Sequence, residues 1–99
     1  MKRQGFERIV RDSRLAPVHR EERSNHLILV ADGWLQDHPE HRGPHYKTVW
    51  GVGRNENEMR VGRALYFTGG VGSSTRADRL AAALKDAREM ADGLNGRRL

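Results

Sequence analysis

Ala64-Leu-Tyr-Phe-Thr68, then Gly69-Gly-Val-Gly-Ser-Ser-Thr75, then the run from Arg76 to Leu94: this stretch decides the fold. It reads as a strand, a glycine-rich turn and an amphipathic helix, in that order. Within the run, Ala77, Leu80, Ala81, Leu84, Ala87, Ala91 and Leu94 recur at three- and four-residue steps and make one apolar stripe. Arg79, Lys85, Asp86, Arg88, Glu89 and Asp92 fall mostly off that stripe. Ser73, Ser74 and Thr75 can each cap the helix start, and Asp78 stands three residues after Thr75. Gly93 or Gly96 marks its end. The stripe is rich in alanine, so the helix can lie close against a sheet while burying less area per residue than leucine would.

Upstream of the glycine turn the period changes to two. Met59, Val61, Arg63, Leu65 and Phe67 alternate with Arg60, Gly62, Ala64, Tyr66 and Thr68. Tyr46, Thr48, Trp50 and Val52 alternate with Lys47, Val49, Gly51 and Gly53. Each run reads as a strand, and the polar segment Arg54-Asn-Glu-Asn-Glu58 joins them as a hairpin. Leu27-Ile-Leu-Val-Ala31 is a short continuous apolar run, which suits a strand covered on both faces. Asp32-Gly33 reads as a turn or bulge, with Trp34-Leu35-Gln36 continuing beyond it. The expected fold is α+β: a three-stranded antiparallel meander packed by a C-terminal amphipathic helix, with room for a short N-terminal helix. Residues 1–25 read as a basic N-terminal arm or short helix, with Phe6, Ile9 and Val10 on one face and a polar linker after Pro17. Residues 26–99 read as a single compact βββα domain.

Composition narrows the function. The 99 residues allow one domain with one modest core. Cysteine is absent, which excludes disulfides, thiolate metal ligands and cysteine nucleophiles and suits a reducing compartment. No apolar run reaches membrane-spanning length and no signal-peptide core stands at the start, so the expected location is cytoplasmic with no membrane partner. The net charge of +5 is uneven: residues 1–25 carry +3, residues 26–72 are neutral, and residues 73–99 carry +2. Fifteen of the eighteen basic residues are arginine, a bias that suits phosphate-bearing partners.

Three regions are candidate sites. In the glycine turn, small residues and the free N–H groups of a helix start could receive an anion, with Ser74 as a donor. Arg76 and Arg79 fall in the first helical turn, against the helix dipole, and a bound phosphate would relieve that conflict. No Lys follows the glycines, so this is no P-loop, and the chain is too short for a dinucleotide-binding domain. The alternative is a capped connection that binds nothing. The second region is the loop with Asp37, His38, Glu40, His41 and His45, which are possible metal ligands, although their spacing matches no metal site and a solvated loop is the simpler reading. The third is aromatic. Trp34, beside a glycine, and Tyr66, on the same strand face as Arg60, could meet a partner, whereas Trp50 shares a face with Tyr46 and Val52 and reads as core.

Three strands followed by Gly72, Ser74, Arg76, Arg79, Ala82 and Ala83 resemble the C-terminal half of a double-stranded-RNA-binding domain. The resemblance covers about a third of the chain, and Thr75 and Asp78 depart from it where a basic and a small residue belong. DNA-binding domains that read the major groove with a three-stranded sheet share the outline. The resemblance implies a nucleic-acid partner.

The expected function is therefore a small, basic, non-enzymatic binding module without a cofactor. Lys47, Arg54, Arg60, Arg63, Ser74, Arg76 and Arg79 would contact nucleic-acid phosphates with counterion release. The alternative is a protein-binding regulator or inhibitor, of the accessory or mobile-element type, acting through an exposed sheet edge or through Trp34 and Tyr66. Free sheet edges would also allow a homodimer.

Overall fold

The computed structural model describes residues 5–35, 45–67 and 75–96, with residues 65–67 and 96 described in their backbone alone. The chain runs α1 (Phe6–Asp12), β1 (Ala16–Arg23), β2 (His26–Leu35), β3 (His45–Gly53), β4 (Met59–Phe67) and α2 (Arg76–Gly96). The sheet is an antiparallel meander of four strands in the order β1-β2-β3-β4, not the three expected. The additional strand is the segment read as a polar linker. β1 pairs with β2 from Ala16 opposite Asp32 to Arg23 opposite His26, with a register shift between Pro17 and His19. Ser24 and Asn25 close that hairpin, both with positive φ (52° and 61°) as a two-residue turn demands. A second difference lies in β2, which passes through Asp32 and Gly33 without a turn and stays in register with β3 as far as Leu35.

Each face of the sheet has its own helix. On one face Ile28, Val30 and Val52 pack under Ala83, Leu84, Ala87 and Ala91 of α2. On the other, Ala31 and Val49 pack with Phe6 of α1 and with Leu15. This explains the continuous apolar run of β2: its alternate residues enter two different cores. The helix start was legible in detail. Thr75 Oγ1 accepts from the Asp78 N–H at 3.1 Å, and Asp78 Oδ2 accepts from the Thr75 N–H at 3.1 Å, a reciprocal capping box. The stripe was not wholly so: Ala77 and Ala81 are exposed, while Ala83 and Arg79 turn inward. No helix among the described residues is long and apolar enough to cross a membrane.

Candidate functional site

Charge is distributed across the sheet according to what α2 reaches. Arg79, expected at an open helix start, is 4% exposed. Its Nε donates to Asp32 Oδ1 at 2.9 Å and its Nη2 to Asp32 Oδ2 at 2.8 Å. Thr48 Oγ1 donates to the same carboxylate at 2.7 Å. The Arg79 guanidinium also lies 3.8 Å above the centroid of Tyr46, a cation–π contact. Tyr46 in turn meets Trp34 edge to face, with centroids 5.0 Å apart. Asp32, Trp34, Tyr46 and Thr48 share one face because their strands pair in register, Asp32 opposite Thr48 and Trp34 opposite Tyr46. Arg79 is thus a structural ion in the described geometry, bound at the point where α2 meets the sheet.

The same pairing continues along α2 toward β1. Arg88 Nε and Nη2 donate to the two oxygens of Glu21 at 2.9 and 2.7 Å, and His19 Nε2 lies 2.7 Å from Glu21 Oε1. The Arg88 hydrogen bonds, more than any other cause, hold the Glu21 carboxyl down at about 2 against a partial opposing effect of burial. Farther on, Arg23 donates twice to Asp92, at 3.1 and 3.0 Å, and Ser24 Oγ donates to it as well. Asp92 is lowered first by Arg23 and then by Ser24.

The remaining cations stand differently. Arg54 lies in the β3–β4 turn, and Arg60 and Arg63 lie on β4, the sheet edge farthest from β1. All three are exposed, and among the described residues none has a carboxylate partner. Arg60 pairs opposite Val52 and Arg63 opposite Val49, so the two point to opposite faces of one edge strand, about 10 Å apart along it. Arg76 is exposed at the first residue of α2. Lys47 is placed otherwise: it is 4% exposed on the α1 face, and its Nζ donates to Ser13 Oγ at 3.1 Å.

The glycine turn, including Ser74, lies outside the described residues, as do Asp37, His38, Glu40 and His41. His45 opens β3 and is fully buried. Among the described residues no three His, Asp or Glu side chains gather as metal ligands. Tyr66 pairs opposite Tyr46 in the sheet, but its side chain is not among those described. Trp34 is 48% exposed, the exposed large apolar side chain among the described residues.

The most informative missed residue is Asp32. It is the charged residue of β2, and it shares the strand parity of Ile28 and Val30, which marks a buried carboxylate in need of a cation. That signal was present in the sequence and would have drawn Arg79 inward. Comparison of the chain with protein-family models, with curated proteins and with solved structures finds no match.

Proposed function

We propose that the protein is a small binding module that contacts nucleic-acid phosphates along the β4 edge and the β3–β4 turn. One observation carries this reading: Arg54, Arg60 and Arg63 are exposed without carboxylate partners among the described residues, while Arg23, Arg79 and Arg88 each hold one by two hydrogen bonds. Arg76 extends the footprint at the start of α2. Lys47 and Arg79, both buried, contribute through the fold. The mechanism is charge neutralisation with counterion release, which is independent of sequence. A cysteine-free, basic chain of this kind suits a cytoplasmic role.

Titration of single-stranded and duplex oligonucleotides at two salt concentrations tests this. Binding should weaken with salt with a log–log slope of about −3 if three to four phosphates are neutralised. Arg54→Glu, Arg60→Glu and Arg63→Glu together should abolish binding at low salt without unfolding the chain. Absence of binding at low salt, or equal affinity in the triple variant, would overturn the reading.

A specific observation favours a second reading, a protein-binding regulator: Trp34 is half exposed and rests on the Tyr46–Arg79 stack, which fixes its orientation. A rigid, exposed aromatic is a common anchor in protein interfaces. A homodimer through a sheet edge fits less well. β1 carries Pro17 and an irregular register, and β4 carries Arg60 and Arg63, all of which discourage edge-to-edge pairing.

A further inference from the structure

α2 lies over β2 and β3 and leaves β4 open on the same face. Trp50 fills part of the gap. It pairs opposite Gly62, and a Cβ at position 62 would come within 2.1 Å of the Trp50 ring. The absence of a side chain there lets the indole reach sideways across the edge strand. Trp50 is partly buried, packed against the α2 core but still open on one side. Above it is a cavity of about 440 Å³, walled by Met90 and Leu94 of α2 and bordered by Arg60, Asp86 and Glu89. Gly93 also lines it, and a Cβ there would meet nothing within 4 Å.

The charges around this shelf are of two kinds. Arg60 is exposed on β4, and Asp86 and Glu89 are exposed on α2, and no ion pair joins them. An apolar aromatic floor with a cation at one side and two carboxylates at the other suits a flat ring that carries amine donors and is attached to a phosphate. We infer that the shelf between α2 and β4 receives one unstacked nucleobase of a single-stranded nucleic acid. The base stacks on Trp50, its exocyclic amine donates to Asp86 or Glu89, and the adjoining phosphate meets Arg60. Cytosine and adenine carry that amine; thymine and uracil do not. A duplex cannot use the shelf, because its bases are paired and stacked. The inference rests on the phosphate-contact reading and adds to it a preference for single strands and for amine-bearing bases.

The test uses Trp34→Phe, which leaves Trp50 as the sole tryptophan, since the chain has two. Oligo-dC, oligo-dT, an abasic oligomer of equal length and a blunt duplex are titrated while tryptophan emission is followed. Oligo-dC should quench Trp50 and bind about tenfold more tightly than the abasic strand, the usual effect of one stacked base. Oligo-dT should fall between the two. Gly93→Leu, introduced in the same background, fills the cavity at a helix position that favours leucine over glycine. It should remove the quenching and the tenfold preference while the melting temperature stays level or rises. Equal, salt-dependent binding of oligo-dC and the abasic strand would overturn the shelf and leave the phosphate reading intact. No binding of any strand would overturn both. Quenching by a lysine-rich peptide but by no oligonucleotide would assign the shelf to a protein cation instead.

Discussion

The two edges of this sheet carry the same residue type in opposite states. Toward β1, arginines are clasped: Arg88 by Glu21 and Arg23 by Asp92, with Arg79 held by Asp32 deeper under α2. Toward β4, Arg54, Arg60 and Arg63 extend into solvent with no carboxylate partner among the described residues. Arginine content alone therefore says little about binding. What separates a structural arginine from an available one is whether the fold places a carboxylate within reach, as α2 does for Arg23, β2 for Arg79, β1 for Arg88 and the β3–β4 turn, through Glu56, for Arg20. Through Arg79, Arg88 and Asp92, α2 is stitched to β1, β2 and the turn between them, while Arg54, Arg60 and Arg63 lie beyond its reach.

The contrast can be broken most forcefully at Asp32. Asp32→Ala leaves the Arg79 guanidinium buried without its counter-charge and should lower unfolding free energy by about 3–5 kcal/mol. For a domain whose total stability is about 5–15 kcal/mol that is a large share. Urea denaturation measures it, and replacing both partners, as Asp32→Leu with Arg79→Met, should recover most of the loss. A loss under 1 kcal/mol from Asp32→Ala would show that the clasp contributes little.

Glu21 sharpens the same contrast through pH. Its carboxyl is held at about 2 in the folded chain against an ordinary 4.5, chiefly by Arg88. A group lowered on folding favours the folded state fully above its unfolded value, and that contribution fades as pH falls from about 4.5 to about 2. Thermal unfolding should therefore worsen with acid across that window, and Glu21→Gln should flatten that part of the profile. An unchanged acid profile in the variant would remove Glu21 from the account. The smallest effect belongs to the open edge: Arg63→Ala should change stability by no more than about 0.5 kcal/mol, as for other exposed side chains free of partners. A larger loss would place Arg63 among the clasped arginines.

Legibility in the sequence followed the strength of local signals. β3 and β4 alternate cleanly, and Thr75 with Asp78 forms the box its spacing announces. β1 was hidden because an edge strand needs little apolar alternation. Its position is held instead by pairing with β2 and by Glu21 reaching Arg88, neither of which leaves a periodic trace. The Ser24–Asn25 turn was hidden too, since both residues take positive φ without the glycine that usually advertises it. Arg79 was misplaced because apolar periodicity treats every arginine as outward, whereas a buried Asp32 reverses that rule for one position. The Trp50 shelf depends on Gly62 lying opposite it across the hairpin, which only the register reveals.

The ties between α2 and the first hairpin have a consequence for how the chain is made. Arg23 and Asp92 are 69 residues apart, and Arg88 and Glu21 are 67 apart. Contacts so distant in sequence form late, after the entropy of closing the intervening chain has been met. During synthesis the four strands leave the ribosome before the helix that covers Ile28, Val30 and Val52. Until α2 emerges, that apolar face has no cover of its own, and the nascent chain passes through an interval in which a chaperone or a neighbouring chain can occupy it. α2 thus sets the moment at which this face of the sheet ceases to be sticky.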